Sequence, residues 1–324
     1  MDSVRWGILG CGDVVRKRVA QAIVAAPGGL LTAACRRDAA ALAAFCQSMS
    51  IDKGYPDAAD LLADPDIDAV YIATPVALHV SQTLAAAAAG KHVLVEKPMA
   101  MSVAECDQMI AACDKANVRL GVAYYRRFYP LVERIGELLR AGTIGTPLAV
   151  SAVTATRLDM SPGEDGYWRV ALESGGGGAL MDVGSHRINV FTHLFGPINH
   201  VKAITRRVAA DYPAEDSAVV LLGFQAGIVG TLQCHFGADD PDEFVVTGTK
   251  GRLIARPLNG DQLIIERDGK TEQEILPPPD NFCTPLIADF NRAIQLGRAP
   301  RVDGEEGRDA NVVMEQAYRS AELI

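Results

Sequence analysis

The chain has 324 residues, enough for two domains with real cores, and its 49% apolar and 22% charged residues are the balance of a globular protein. A net charge of −9 without a basic stripe argues against nucleic acid as a partner, and no apolar run reaches membrane-spanning length. Met1–Gly10 lacks the basic and apolar regions of a signal peptide, and the seven cysteines are scattered with no CxxC, so the expectation is a reducing cytoplasm with no disulfide framework, no metal site and no membrane partner.

Val4–Leu9 reads as a first strand that runs into the turn Gly10-Cys11-Gly12-Asp13-Val14-Val15 and then a helical stretch from Arg16 to Ala26. Strand, glycine turn and helix in this order are the context of a dinucleotide fingerprint: Gly10 permits the tight turn, and Gly12 lets backbone N–H groups approach a pyrophosphate. The third small position holds Val15, which predicts a slightly wider spacing of helix and strand. Leu30–Cys35 is a second strand, followed by Arg36-Arg37-Asp38 and a helix over Ala39–Met49. Asp68–Ala73 is a third strand ending in Thr74-Pro75, Val76–Ala89 is helical, Lys91–Val95 is a fourth strand, Val103–Ala116 a helix and Val118–Ala123 a fifth strand. Strands alternating with helices at this spacing predict a parallel, doubly wound sheet over residues 1–123.

Beyond 123 the pattern changes. Leu131–Ala141 reads as a helix, Leu148–Thr156 as a strand, and a turn-rich loop and a run of four glycines (Gly175 to Gly178) lead into a helical stretch over Leu180–Leu194. Strand-like runs follow at His200–Val208, Ala218–Phe224, Ile228–His235, Glu243–Thr247, Leu253–Ala255 and Gln262–Arg267, with no long helix between them, and Thr284–Leu296 and Gly307–Leu323 close the chain as helices. The fold class predicted is α/β, with an N-terminal Rossmann domain over 1–123 and, over 124–324, an α+β domain for substrate binding and oligomerisation with a large, mostly antiparallel open sheet.

Two stretches carry chemistry. In Val93-Leu94-Val95-Glu96-Lys97-Pro98 the apolar run is a buried strand that the proline ends, so Lys97 emerges at the carboxyl edge of the sheet, where open α/β sheets bind ligands. In the helix after the glycine run, Asp182, His186, Asn189 and His193 recur at spacings of 4, 3 and 4. At about 100° per residue they fall in an arc of roughly 60° between apolar flanks. So narrow a polar stripe suits a mostly buried helix that lines a polar cleft; the alternative is a set of core histidines satisfied by backbone. A carboxylate beside an imidazole orients it and tunes it toward general-base work. At the end of the second strand, Arg36 and Arg37 precede the first acid, Asp38, which predicts NADP over NAD: guanidinium groups bind a 2′-phosphate, whereas NAD enzymes place an acid there.

These residues together resemble the Gfo/Idh/MocA oxidoreductases over nearly the whole chain. The resemblance rests on Gly10-Cys11-Gly12, Thr74-Pro75 with His79, Glu96-Lys97-Pro98, Arg127-Phe128 with Pro130, Gly176–Gly178 with Asp182, Gly184 and His186, and Asp303-Gly304-Glu305-Glu306-Gly307. It implies hydride transfer between NADP or NAD and a secondary alcohol or ketone of a sugar, polyol or similar compound, with Lys97, Asp182 and His186 catalytic and a cis bond at Lys97–Pro98. The cofactor contacts expected are Gly10, Gly12, Asp13, Val14, Cys35, Arg36, Arg37, Thr74, Pro75, His79, Glu96 and Lys97. Those for the substrate are Lys97, Arg127, Trp168, Arg169, Asp182, His186 and Asn189. Val76 and Asn189 depart from the family, which usually has Asn and often Asp at those positions. His186, in place of the tyrosine of relatives near glucose–fructose oxidoreductase, favours inositol-dehydrogenase-like chemistry. The partners expected are a carbohydrate-like small molecule and further copies of the chain, as a homodimer or homotetramer. Two other readings share the fold: a redox-assisted glycoside hydrolase or lyase that retains its nucleotide, and a non-catalytic NAD(P) sensor.

Overall fold

In the computed structural model, which describes residues 3–239 and 242–321, the apolar run Val4–Leu9 (β1) is almost wholly buried, as the middle of a two-sided parallel sheet requires. Among the described residues it is joined by Gly29–Cys35 (β2), Lys53–Tyr55 (β3), Ala69–Ile72 (β4), His92–Val95 (β5) and Leu120–Val122 (β6). The order is β3-β2-β1-β4-β5-β6 and every pairing is parallel. Strand order reverses between β1 and β4, so the crevice for a ligand opens at their carboxyl ends. The glycine turn follows β1, Thr74-Pro75 follows β4 and Glu96-Lys97 follows β5, so all three stretches singled out in this half of the sequence reach that edge.

The other sheet contains Pro147–Thr156 (β7), Ile198–Arg206 (β8), Ser217–Phe224 (β9), Val229–Phe236 (β10), Glu243–Gly248 (β11), Gly251–Ala255 (β12), Gln262–Arg267 (β13) and Lys270–Ile275 (β14). Its order is β14-β13-β12-β11-β7-β10-β9-β8, antiparallel throughout except for the parallel pair β7 and β10. One face packs on the Ser185–Phe195 helix through Phe191, Phe195, Phe224 and Phe244, with ring centroids 5.5–6.2 Å apart. On the alternate positions of the same strands Leu221 and Val229 are exposed, at 57% and 61%, and they line a shallow cavity of about 380 Å³ with Ser151, Thr231, Val245 and Thr247. No helix among the described residues is long and apolar enough to cross a membrane.

Several elements differ from the sequence reading. β3 and the Ala58–Ala63 helix are additional; β3 has three residues, too few for a periodic signal. β14 is additional because Lys270–Ile275 is mostly polar, as an edge strand can be. Its turn was legible: Asp268-Gly269, at φ 51° and 71°, is the two-residue connection of a β-hairpin.

The chain also divides differently. One unit comprises the chain up to Tyr125 together with Pro279–Arg308, and the other comprises Arg126–Pro278 together with the chain from Asp309. Residues 279–308, placed by the sequence in the second domain, therefore pack with the parallel sheet. Trp6 Nε1 donates to Asn291 Oδ1 at 2.9 Å, Asn291 Nδ2 donates to the Pro27 carbonyl at 3.0 Å, and the Trp6 and Phe290 rings lie 5.5 Å apart. Val122 N–H donates to the Val302 carbonyl at 3.0 Å, and a Cβ on Gly121 would meet the Phe290 ring at 2.9 Å. Contacts across 169 to 285 residues leave no local pattern. Asn291→Ala leaves the buried indole N–H without its acceptor and should cost about 1–3 kcal/mol. A shift of the urea midpoint with unchanged slope would show this, and an unmoved midpoint would show that the tether contributes nothing.

Candidate active site

At the glycine turn, Gly10 has φ +94°, and a Cβ there would stand 2.9 Å from the Ala73 carbonyl, so only glycine fits both the turn and the neighbouring strand. A Cβ on Gly12 would meet nothing within 4 Å, which leaves the approach to the backbone open on that side. Cys11 is buried, and Gly10 N–H donates to the Cys35 carbonyl at 3.1 Å, which seats the turn on the end of β2. Asp13 is exposed and pairs with Lys17 at 2.5 Å and Arg16 at 3.2 Å, and the Lys17 contact holds its carboxyl below the usual range. Val14 is half-buried. Val15 is fully buried, and the helix takes a π turn over Val15–Val19, where the family pattern expects a small residue.

At the end of β2 the Arg36 guanidinium folds across the glycine turn, its Nη1 donating to the Cys11 carbonyl at 2.8 Å. Arg37 is exposed. Asp38 accepts from Ala41 N–H at 2.9 Å and caps the Ala39–Met49 helix, so its carboxylate is engaged past the strand end.

His79, expected at the cofactor, is a tie between loops. Its Nε2 faces the Thr74 carbonyl at 3.0 Å, and its Nδ1 faces the carbonyls of Pro98 and Met99 at 3.1 and 3.2 Å. The ring is buried, which lowers its pKa against the opposing pull of these carbonyls. Thr74 Oγ1 donates to Gln82 Oε1 at 2.7 Å; Pro75 is half-buried and Val76 is buried beside it. Glu96 accepts from the buried Tyr71 hydroxyl at 2.7 Å and from Lys97 N–H at 3.1 Å, and the Lys97–Pro98 bond is cis. Lys97 itself is half-buried at the carboxyl edge. The carboxyl edge thus fits a dinucleotide: an open glycine turn at a helix start, a guanidinium beside it, and a lysine on a braced loop two strands away.

In the other unit the glycine run is packed against protein. A Cβ on Gly175 would strike the Trp168 carbonyl, one on Gly177 the Tyr318 hydroxyl, one on Gly178 the Glu215 backbone, and one on Gly184 Cys234 Sγ on β10. Glu215, which the sequence reading passed over, anchors the run. Its carboxylate accepts from Gly178 N–H at 2.8 Å, Leu180 N–H at 3.0 Å and the Tyr318 hydroxyl at 2.9 Å. Burial raises its pKa, and the three donors oppose that rise. The only sequence signal was an acid pair, Glu215-Asp216, directly before an apolar strand.

The polar stripe begins in a π turn, Leu180–Gly184, and continues into the Ser185–Phe195 helix. Asp182 is half-buried, and His186 and Asn189 are 4% and 1% exposed. The π turn alters the angle between Asp182 and the later members from the value a plain α-helix gives. Arg127, buried, places Nη2 2.7 Å from His193 Nδ1, so one expected substrate residue joins the stripe. Trp168 and Arg169 stay together, the guanidinium 4.6 Å over the indole. Arg187 was also missed: it is 1% exposed, pairs with Asp242, and burial lowers its pKa. It secures the helix from beneath, and loss of either partner would strand a buried charge. No cluster of metal-ligating side chains occurs among the described residues.

Residues 4–124 match the oxidoreductase family with the NAD-binding Rossmann fold, and residues 132–254 match the GFO/IDH/MocA C-terminal domain. The chain is 32% identical over 324 residues to D-xylose 1-dehydrogenase (NADP(+)) 2 of Haloferax volcanii, covering 98% of this chain and 97% of that one. It is 30% identical over 309 residues to 1,5-anhydro-D-fructose reductase of Ensifer adhaerens, covering 94% and 92%. Among solved structures, aldose-aldose oxidoreductase of Caulobacter crescentus complexed with glycerol superposes with a TM-score of 0.91 at 28% identity, covering 99% and 98%. With a glycine turn, a strand-end lysine and a buried acid–histidine helix in the family's order, the chain belongs to the Gfo/Idh/MocA family of NAD(P)-dependent sugar and polyol dehydrogenases and reductases.

Proposed function

We propose that the protein transfers a hydride between NADP and a secondary alcohol or ketone of a sugar or polyol, with Lys97, Asp182 and His186 as the catalytic residues. The observation that carries this is Lys97, on a loop tied to β4 by His79 and to Tyr71 by Glu96, at the edge that the glycine turn shares. The nicotinamide, when bound, supplies the hydride acceptor or donor. In the oxidative direction His186 takes the hydroxyl proton as the hydride leaves the same carbon, and Lys97 holds the oxygen and stabilises the negative charge that develops on it. Asp182 orients His186 or binds a neighbouring hydroxyl; Arg127, Trp168, Arg169 and Asn189 complete the substrate contacts in this reading. Lys97→Ala and His186→Asn should each lower turnover by about 100-fold or more with the fold retained. A sugar and polyol screen that follows nicotinamide absorbance and products together is the measurement. Near-normal turnover in both variants would remove the assignment, and product formed without net nicotinamide change would move the reading to a nucleotide-retaining hydrolase or lyase.

NADP is favoured by the end of β2, where Arg36 is held against the glycine turn, Arg37 is exposed, and the nearest carboxylate is engaged as a helix cap. The D-xylose dehydrogenase relative carries NADP(+) in its name. Arg36→Ala or Arg37→Ala should lower kcat/KM with NADP by about 10-fold or more, the scale of a lost hydrogen bond to a charged group, and change that with NAD far less. A wild type more efficient with NAD, or two substitutions that affect both cofactors alike, would overturn the preference.

The apolar face of the large sheet fits a second copy of the chain. Ile204, Val219, Leu221 and Val229 are 39–61% exposed on adjacent strands, and Leu221 and Val229 border a cavity with no charged residue in its lining, so this part of the face can pair with itself about a two-fold axis. Light scattering at micromolar concentration should give a dimer or tetramer, reduced to monomer by Leu221→Glu. A wild-type monomer would refute this.

A further inference from the structure

Residues 281–283 lie against the carboxyl edge of the parallel sheet, held by contacts the hydride reaction does not require. Asn281 Nδ2 donates to the Arg18 carbonyl at 2.9 Å, and its Oδ1 accepts from Cys283 N–H at 3.0 Å. The Phe282 ring stacks on Tyr125, with 6.3 Å between centroids and 7° between planes, and the Arg18 guanidinium lies over the same ring at 5.7 Å. Cys283 is buried, and burial, with the Glu96 charge added and the Arg18 charge opposing, pushes its thiol up to about 12.

The positions of these partners give the segment its meaning. Arg18 stands on the helix that leaves the glycine turn. Tyr125 follows β6, and Glu96 follows β5. The row Arg18, Phe282, Tyr125 therefore runs from the helix after the glycine turn to the segment after β6. The adenosine end of a dinucleotide belongs at β2, on the opposite side of the turn.

We propose that Phe282, braced by Tyr125 and Asn281, is a positioning residue for the nicotinamide half of the cofactor. Its ring with that of Tyr125 forms an aromatic wall beside Lys97. An aromatic face holds a planar ring by offset or edge contact and keeps water from the carbon that exchanges the hydride. Phe282 is half-buried.

The inference rests on the dinucleotide reading, and its test separates the two. Wild type, Phe282→Ala, Phe282→Leu and Phe282→Tyr are titrated by calorimetry with NADPH and with 2′-phospho-ADP-ribose, the same molecule without its nicotinamide ring. NADH and ADP-ribose replace them if wild type binds NADH more tightly. The Ala and Leu variants should bind the dinucleotide about 10-fold more weakly and the fragment as wild type does, while Tyr restores dinucleotide binding. Phe282→Leu keeps most of the side-chain volume, so it decides the matter if the Ala variant does not fold. Equal losses for both ligands would assign Phe282 a merely structural role, and undiminished dinucleotide affinity would remove the wall; either overturns the proposal. Wild type that binds neither ligand would overturn the dinucleotide reading and this inference with it.

Discussion

Three backbone carbonyl oxygens, those of Thr74, Pro98 and Met99, converge on the buried imidazole of His79 at 3.0, 3.1 and 3.2 Å. A neutral imidazole carries one N–H, so His79 donates to the carbonyls on one side only, and burial lowers its pKa toward that form. One ring at the start of the following helix lies between the loop after β4 and the loop after β5 and packs against both, beside the segment that carries Lys97. Glu96 adds the second brace through Tyr71, whose phenol is fully buried on β4. The lysine thus stands on a loop whose neighbours on both sides are held, which is the condition for a side chain that must act at one place.

The second unit meets the same requirement with a carboxylate. The glycine run brings the start of the acid–histidine helix against Glu215 and Tyr318, closer than any Cβ would allow, and the Glu215 oxygens then satisfy two backbone donors that a helix start leaves over. Arg187 and Asp242 secure the next turn from the sheet side. The glycines of the run make room for the protein's own backbone and side chains. Gly12 differs, since nothing lies within 4 Å of its absent Cβ.

Local patterns were readable wherever a residue's role is set by its neighbours in sequence. β1, β2, β4 and β5 announce themselves as apolar runs, Asp38 as an acid at a helix start, and Lys97 by the proline that ends its strand. The catalytic candidates on the Ser185–Phe195 helix emerged from a period of 3.6, although the π turn at Leu180–Gly184 could not be foreseen from spacing. What stayed hidden was set by partners far away. Asn291 meets Trp6 across 285 residues, and Glu215 meets Tyr318 across 103. Arg187, next to His186 and outside the polar stripe, is explained by its pairing with Asp242 across 55 residues. The different grouping of residues 279–308 has the same origin: the segment's helix pattern is local, but its contacts with β1 and β6 are not.

Asn189 shows how one neutral side chain bears on the proposed chemistry. It lies one helical turn from both His186 and His193, positions that share a face, and the family often carries a carboxylate there. A carboxylate would stabilise protonated imidazoles on either side and draw their pKa upward. The amide carries no charge, and the Arg127 guanidinium at His193 adds a positive one to the same stripe. A neutral imidazole is the form that can accept a hydroxyl proton in the proposed reaction. Asp182, on the preceding turn, is the one carboxylate of the four stripe positions, which in that proposal makes it the group to stabilise His186 once the proton has been taken.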